Sequence, residues 1–438
     1  MKKLFLILFS MCLFSGVYAQ NVQALKTKLD KKAEDLKERV TMWRRDFHEY
    51  PELSNREFKT AEKIATHLKL LGLEVQTGIA KTGVVAILKG GKPGPCIALR
   101  ADIDGLPVKE RVDIPFASKA MADYNGQKVG VMHACGHDTH TAILMGVAEV
   151  LTSMKSELKG TIKFIFQPAE EGAPTGERGG ASVMVEEGVL ENPKVEAIFG
   201  LHINAQTEVG QIKYRPGGTM ASSDGLFIKI KGKQSHGASP WSGVDPIATS
   251  ALVINGLQTI VSRQTDLTAS AAVVTIGSIH GGVRGNIIPE DLEMVGTIRA
   301  LDTKIQMDIH EKIRRTATQI AESQGAKAEV RIDMSNPVTY NDPKLTEMMA
   351  PSLESAAGKG NVSLTPAVTG AEDFAWYQKK VPGLFFFLGG APKGKPIEQT
   401  APHHTPDFFI DEGGFVLGMK AFCHLVVDYA EKAPMAGK

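Results

Sequence analysis

Short, mostly apolar runs rich in Val, Ile and Phe recur along the chain without regular alternation of polar residues. Strands of this kind fit a sheet that is covered on both faces, as parallel sheets are. The runs are Val84–Leu88, Ile97–Leu99, Ile162–Phe166, Val195–Leu201 and Leu384–Leu388. Helical segments such as Thr139–Met154 lie between some of them. Strands that alternate with helices predict an α/β fold, here a three-layer domain around a mostly parallel, buried sheet.

A different pattern spans residues 214–330. Leu226–Ile230, Ala272–Ile276 and Leu292–Arg299 read as alternating strands, and two helices are indicated, one beginning at Pro246 and one ending before Gly325. Strand, helix, strand, strand, helix, strand is the split βαβ plan of ferredoxin-like domains. We therefore expect an inserted α+β domain at 214–330. Residues 20–213 and 331–438 would then form one discontinuous α/β domain.

The first nineteen residues have the composition of an export signal. Lys2 and Lys3 precede an apolar run from Leu4 to Val17, and the small residue Ala19 marks a cleavage point. The run is too short to span a membrane; an uncleaved anchor and a misread start are the alternatives. We expect residues 1–19 to be a bacterial Sec-type signal peptide. The mature chain would be exported, periplasmic or extracellular, and free of the membrane once the signal is removed.

Charge and cysteine content argue against several classes of protein. The chain has 50 Lys and Arg residues against 49 Asp and Glu, so it lacks the basic excess of a nucleic-acid-binding protein. Of its 4 cysteines, Cys12 would leave with the signal, and the others have no spacing typical of a disulfide framework. Cys96 and Cys423 lie in apolar segments and read as inert core thiols. Cys135 has polar neighbours in the sequence and is therefore not interpreted as an inert core thiol.

The densest polar cluster runs from His133 to His140 and includes Cys135, His137 and Asp138. Cys135 and His137 are two residues apart, so in an extended backbone their side chains leave the same face. A thiolate and an imidazole together suit zinc or a similar transition metal. The alternative is a polar helix N-terminus that Asp138 or its neighbour Thr139 caps.

A pair of carboxylates follows the predicted strand that ends at Phe166. Glu170 and Glu171 are adjacent, so their side chains point in different directions. One carboxylate can then hold a metal while the other serves as a general base. A solvated acidic loop is the alternative. Asp102 and Asp104, which follow another strand, would orient the ligands or the base.

Histidines also lie near the ends of two further predicted strands. They are His202, His403 and His404. A lone histidine is more often an ordinary core or surface residue. Ligands bind at the carboxyl ends of strands in open α/β sheets, however, so convergence of all these polar groups predicts a functional site. The number of potential ligands allows two metals, which suits a hydrolytic reaction.

Taken together, the motifs resemble the amidohydrolase branch of the M20 metallopeptidase family. This branch contains N-acyl-amino-acid and hippurate hydrolases, auxin-conjugate hydrolases and related carboxypeptidases. The matching segments occur in family order over about residues 40–415. They are Arg100 to Pro107, His133 to Asp138, Phe166 to Gly172, Gly200 to His202, Ser235 to Ala238, Gly281 to Pro289 and Ala371 to Phe374.

The resemblance implies a dinuclear metal site and a general base. The residues that match the family's metal ligands are Cys135, His137, Glu171, His202 and His404. Glu170 matches the base, which takes a proton from the attacking water and passes it to the leaving nitrogen. The metal could be zinc, manganese, cobalt or nickel, all of which suit these ligands.

The resemblance also implies roles for the inserted domain. It is expected to be a lid that forms a homodimer, beside a catalytic α/β domain. His236 matches a histidine that reaches the active site of the dimer partner and stabilises the oxyanion. Asn286 matches a lid residue near the substrate carboxylate.

Two positions depart from the family pattern. His403 stands beside His404, and although the pattern His-x-Pro selects His404, His403 stays open as a ligand. Arg284 lies where many relatives have small residues, so it could pair with a substrate carboxylate or be a plain surface charge.

The resemblance implies an exported, metal-dependent amidohydrolase that acts on N-acyl-L-amino acids or short peptides. One alternative is a metallo-carboxypeptidase that acts mainly on peptides. A non-catalytic metal-binding relative is the other alternative, and the presence of Glu170 argues against it.

Overall fold

A computed structural model describes residues 20–433, so the predicted signal peptide at 1–19 lies outside the described residues. None of the helices in that range has both the length and the apolar character needed to cross a membrane. The helices are α1 (20–35), α2 (Lys37–Glu49), α3 (Phe58–Leu70), α4 (His137–Ser153), α5 (Gly180–Glu186), α6 (Pro246–Gln264), α7 (Thr303–Ser323), α8 (Pro343–Ala357), α9 (Ala375–Gln378) and α10 (Phe415–Lys432).

The strands follow the same chain order. They are β1 (Glu74–Ile79), β2 (Gly83–Lys89), β3 (Lys92–Asp102), β4 (Met121–Tyr124), β5 (Gln127–Gly130), β6 (Lys159–Gln167), β7 (Ala197–Glu208), β8 (Ile212–Tyr214), β9 (Gly217–Met220), β10 (Ser223–Lys231), β11 (Ser235–His236), β12 (Ala272–His280), β13 (Ile287–Ile288), β14 (Asp291–Ala300), β15 (Lys327–Asn336), β16 (Thr339–Asn341), β17 (Val362–Leu364) and β18 (Gly383–Ala391).

Three of the helices begin with an aspartate that caps exposed backbone N–H groups. Asp245 accepts from the Ile247 N–H at 2.8 Å at the start of α6, where Pro246 holds the first helical position. Asp302 and Asp342 cap α7 and α8 in the same way.

The first compact unit contains the described residues up to Pro216, together with Asn341–Thr365 and residues 376–433. Its eight-stranded sheet has the order β1-β2-β6-β3-β7-β18-β8-β17. The four central strands, β6, β3, β7 and β18, are parallel to one another. Every residue of β18 is buried, so both faces of the sheet are covered at its centre. The predicted α/β fold with a mostly parallel, buried sheet is confirmed.

The parallel register brings the ends of the central strands to one edge of the sheet. Asp102, the last residue of β3, lies opposite Gln167, the last residue of β6. His202 in β7 lies opposite Phe387 in β18. Side chains that follow β3 and β6 therefore emerge beside His202, which is the physical basis of the site described below.

The second compact unit contains Gly217–Tyr340 and Pro366–Ala375. Its four-stranded antiparallel sheet has the order β12-β14-β10-β15. Alternate residues of β10 are buried, and they form a core with α6 and α7. That core contains Leu226, Ile228, Ile230, Val253, Leu257, Ile309 and Ile313. The elements occur in the order expected of a split βαβ domain.

The second unit has different limits from the predicted 214–330. Position 330 falls inside β15, which pairs with β10 along its length and so belongs to the same sheet. The short segment Pro366–Ala375 also belongs to this unit, where Val368 forms a bridge with Met220. Such a long-range contact leaves no local pattern that sequence inspection could detect.

Candidate metal centre and catalytic carboxylates

Cys135 lies in the turn that leads into α4, and a glycine fixes the shape of that turn. Gly136 has a φ of +99°, and a Cβ built there would lie 2.2 Å from Cγ2 of Ile203. Only glycine suits both the left-handed backbone and the close approach to β7. The turn places the Cys135 Sγ 3.4 Å from Nε2 of His202 and 3.3 Å from Nε2 of His404.

Glu170 and Glu171 occupy a second turn, directly after β6. Ala169 has a φ of +52°, which turns the chain sharply. The turn brings Oε2 of Glu170 within 3.8 Å and Oε1 of Glu171 within 3.9 Å of the same atom, Nε2 of His137. Glu171 Oε1 also lies 3.0 Å from Nε2 of His404. The two carboxylates therefore face the histidines and are not a solvated acidic loop.

Asp104 holds several of these groups in place. Its Oδ1 accepts hydrogen bonds from the Glu170 N–H at 3.1 Å and from Nδ1 of His137 at 3.2 Å. Its Oδ2 accepts from the Glu171 N–H at 3.1 Å and from Oγ of Ser54 at 2.7 Å. Because Nδ1 of His137 donates to Asp104, Nε2 is the ring nitrogen that faces the two glutamates.

Asp102 lies in the same buried region as Asp104. It contacts Nδ1 of His140 at 2.6 Å and Nη1 of Arg100 at 2.5 Å. The pKa of Asp102 is well below its usual range, since the positive charges of His137 and Arg100 outweigh the opposing effect of burial. The structure thus places both predicted orienting carboxylates behind the histidines.

The donor set fits a bound metal. His137 Nε2 is buried, and among residues 20–433 it has no hydrogen-bond partner. Burying a polar nitrogen without a partner is costly, and such a group calls for an explanation. The nearby thiol, imidazoles and carboxylates are the ligands that zinc and similar metals prefer. Candidate ligand atoms of Cys135, Glu171 and His404 all lie within 4.8 Å of one another, as do those of His137, Glu170 and Glu171.

The electrostatics of the pocket favour a cation. Burial lowers the pKa of His137, but the carboxylates of Asp102 and Asp104 outweigh it and raise that pKa to about 10. Burial and the carboxylates of Glu171 and Glu170 raise the pKa of the Cys135 thiol well above its usual value. Both shifts have the sign expected of an excess of negative charge, which a bound divalent cation would neutralise.

The two neighbouring histidines are in different situations. The His404 side chain is 53% exposed and directs Nε2 at Cys135 and Glu171. His403 contacts mainly the backbone: its Nε2 accepts from the Ala205 N–H at 3.2 Å, and its Nδ1 lies 3.1 Å from the Cys135 carbonyl oxygen. Its Nδ1 is 3.7 Å from the Cys135 Sγ, and ligand atoms of His403, Cys135 and His202 lie within 4.8 Å of one another. This geometry favours His404 over His403 as a metal ligand.

Several groups around the site have no signal in the sequence motifs. Ser54 and Glu57 come from the N-terminal part of the chain; the Glu57 carboxylate accepts from the Ala169 N–H at 2.9 Å. Asp138 bonds Nδ1 of the buried His48 at 2.7 Å and pairs with Arg44, whereas the N-cap position of α4 is Gly136, so the carboxylate joins α4 to α2 and is not the cap of the helix. These contacts join α2 and the loop before α3 to the segment after β3, the turn after β6 and the start of α4, and only the fold brings them together.

The remaining predicted residues, His236, Asn286 and Arg284, lie in the second unit. His236 in β11 lies opposite Ile287 in β13, and the neighbouring Gly237 N–H donates to the Asn286 carbonyl at 2.8 Å. The Arg284 carbonyl accepts from the Ile287 N–H at 3.1 Å. The three residues therefore lie in or beside the two-stranded β11–β13 sheet of that unit.

Comparisons with known proteins agree with this chemistry. The model of peptidase family M20/M25/M40 matches residues 98–428. Thermostable carboxypeptidase 1 of Saccharolobus solfataricus is 39% identical over 93% of this chain and 100% of its own length. An N-acetylcysteine deacetylase of Bacillus subtilis is 41% identical over 89% of this chain and 96% of its own length.

A solved structure supports the same assignment. The crystal structure of a Bacillus subtilis protein described as a dinuclear metal-binding peptidase of the M20 family superposes with a TM-score of 0.77. It is 37% identical, and the match covers 91% of this chain and 99% of that one. The chain therefore belongs to peptidase family M20/M25/M40 and is a metal-dependent hydrolase of the amidohydrolase and peptidase type.

Proposed function

We propose that this hydrolase is exported and cleaves the amide bond of N-acyl-L-amino acids or short peptides. The observation that carries the proposal is that Glu170 and Glu171 converge on Nε2 of His137, while Glu171 also belongs to a second group of candidate ligands with Cys135 and His404. Similarity to a deacetylase of an N-acylated amino acid and to a carboxypeptidase supports this substrate class. Export rests on the charged and apolar pattern of residues 1–19.

The proposed ligands divide between the two turns and the strand ends. They are Cys135, His137, Glu171, His202 and His404. Two divalent ions held there, whether zinc, manganese, cobalt or nickel, would supply Lewis acidity toward an amide carbonyl and acidify water. His202 is oriented for this role, because its Nδ1 donates to the Ile203 carbonyl at 2.6 Å and leaves Nε2 facing the Cys135 sulfur.

Glu170 is the proposed general base. It would take a proton from the attacking water and transfer it to the leaving nitrogen. Its backbone N–H is fixed on Asp104, and its carboxylate lies 3.8 Å from Nε2 of His137, so the base is held beside the ligands. We further propose that Asn286, with Arg284, binds the substrate carboxylate. Asp102 and Asp104 keep the ligands in orientation.

A homodimer formed through the second unit completes the proposal. In it, His236 from one copy of the chain would stabilise the oxyanion in the site of the other copy. The sheet of this unit ends on the outer strands β12 and β15, which offer edges for association.

Mixing two inactive variants tests the shared site. His236→Ala and Glu170→Ala homodimers are each expected to be inactive. After subunit exchange, a heterodimer has one site with both Glu170 and His236, so about one quarter of the wild-type activity should return by random pairing. The measurement is turnover before and after exchange, with exchange followed by mass spectrometry of differently tagged chains. Complete exchange without any recovery would contradict the shared site.

A substrate panel separates the main proposal from its alternative. If the protein is an amidohydrolase, we expect kcat/KM for hippurate and N-acetyl amino acids to be at least tenfold above kcat/KM for dipeptides with the same C-terminal residue. The acyl pocket would then discriminate between acyl and aminoacyl groups by about 1.4 kcal/mol or more. The 39% identity to a carboxypeptidase favours the reverse order and is the reason to include peptides. A preference for peptides would replace the proposal by a metallo-carboxypeptidase. Full metal loading without turnover of any substrate would indicate a non-catalytic metal-binding protein.

A further inference from the structure

The strand that supplies His202 extends beyond its neighbour. β7 runs from Ala197 to Glu208, but its pairing with β3 ends at Gly200, opposite Arg100, and β3 itself stops two residues later at Asp102. On its other side, β7 remains paired with β18 as far as Glu208. Backbone N–H groups past Gly200 that face the β3 side need other partners, because a buried, unpaired N–H is costly.

Two imidazoles provide those partners. The Ile203 N–H donates to Nε2 of His140 at 2.8 Å, and the Ala205 N–H donates to Nε2 of His403 at 3.2 Å. Because each Nε2 accepts a hydrogen bond, the proton of each neutral ring lies on Nδ1. In His140 that proton is directed to Asp102, and in His403 it is directed to the carbonyl oxygen of Cys135, 3.1 Å away.

His403 therefore links β7 to the main chain of Cys135. The adjacent residue reinforces the link, since the His404 N–H donates to the Ala134 carbonyl at 2.8 Å. The Phe408 ring, with its centroid 4.8 Å from that of His403, packs against the imidazole and restricts its rotation. On the other side of Cys135, Gly136 is in contact with Ile203. The Cys135 segment is thus held against β7 at two points.

We propose that His403 is a positioning residue that fixes the Cys135 backbone to β7, and that it is not a metal ligand. This proposal rests on the proposed metal centre, because the role assigned to His403 is to place the Cys135 thiol for metal binding. The competing role is ligation through Nδ1, which lies 3.7 Å from the Cys135 Sγ. A ligand nitrogen must have a lone pair toward the metal, whereas here both nitrogens of His403 are engaged by backbone groups.

The neighbouring histidine provides a matched control. Positioning predicts that His403→Ala still binds two ions per chain at saturating Mn²⁺ or Zn²⁺, with dissociation constants raised about 10–100-fold, as for other residues that support ligands. It also predicts a lower Tm for the metal-free protein, because the lost hydrogen bonds join protein groups to one another. His404→Ala, which removes a half-exposed proposed ligand, should lose one ion per chain at saturation and lower the metal-free Tm less than His403→Ala does, because an exposed ion pair such as the one with Glu171 contributes little to stability.

Three measurements distinguish positioning from ligation without a substrate. Elemental analysis gives the metal stoichiometry, competition with a chromophoric chelator gives the affinity, and the Tm is measured in excess chelator. Loss of one ion from His403→Ala at saturation, or an unchanged metal-free Tm, would overturn the proposal. If His403→Ala does not fold, two conservative variants replace it. His403→Gln keeps an acceptor for the Ala205 N–H, and His403→Asn keeps a donor for the Cys135 carbonyl. Each should retain part of the wild-type metal affinity. Failure of both to retain any affinity would also overturn the proposal. If the wild type binds no metal, the proposed metal centre itself fails, which is a separate result.

Discussion

Glu170→Gln is expected to lower kcat by roughly 10³-fold while two metal ions per chain are retained. The amide has nearly the shape of the carboxylate but cannot accept the proton of the attacking water, and general-base catalysis contributes about 10²–10⁴-fold in enzymes. Because the Glu170 backbone is fixed on Asp104, the substitution should leave the turn in place. Steady-state turnover of the best N-acyl substrate, together with elemental analysis of the same sample, measures both quantities.

Glu186→Gln is the matched control for this substitution. Glu186 lies in α5, and its side chain is 56% exposed and pairs with Arg178 at the surface. The same chemical change there should leave kcat and metal content unaltered. If Glu170→Gln kept the wild-type kcat, Glu170 could not be the base, and Glu171 would have to be tested next.

Cys135→Ala is expected to cause the other large loss. The sulfur lies within 3.4 Å of two imidazole nitrogens, so it is central among the proposed ligands. Without it, the metal content should fall to one ion per chain or fewer. Metal ions contribute several kcal/mol to such reactions, so kcat/KM should fall by about 10³-fold or more. Activity titrated against added metal separates weaker binding from defective chemistry.

The chain contains two natural controls for the thiol. Cys96 and Cys423 are buried free cysteines that belong to the hydrophobic interior. Burial raises the pKa of Cys96 to about 11, so it is an unreactive thiol at neutral pH. Cys96→Ala and Cys423→Ala should retain two ions and full kcat. Tight binding of two ions by Cys135→Ala would remove the cysteine from the ligand set.

The residues at the strand ends could be predicted because topology alone brings them together. Once β3, β6 and β7 are parallel neighbours, Asp102, Glu170 and His202 must meet at one edge of the sheet. The sequence could not show that His140 and His403 bond backbone N–H groups of β7. That arrangement depends on where β3 ends relative to β7, which is a matter of strand length and register rather than residue type.

The limits of the second unit were harder to predict for a similar reason. A local pattern indicates strands and helices, but the assignment of β15 to a sheet depends on its pairing with β10. Ser54 and Glu57 could not be predicted, because no sequence motif connects the loop before α3 with Asp104 after β3 or with the turn after β6. Their contacts exist only through tertiary packing.

Asp104 gives the proposed base and the ligands a common anchor. One carboxylate binds the backbone of Glu170 and Glu171 and the ring of His137 at once. If Asp104 shifts, all three groups shift with it, so their mutual distances are better conserved than their distances from the rest of the sheet. The relative positions of the base and the ligands then depend on Asp104, and the rest of the sheet can vary without changing their alignment.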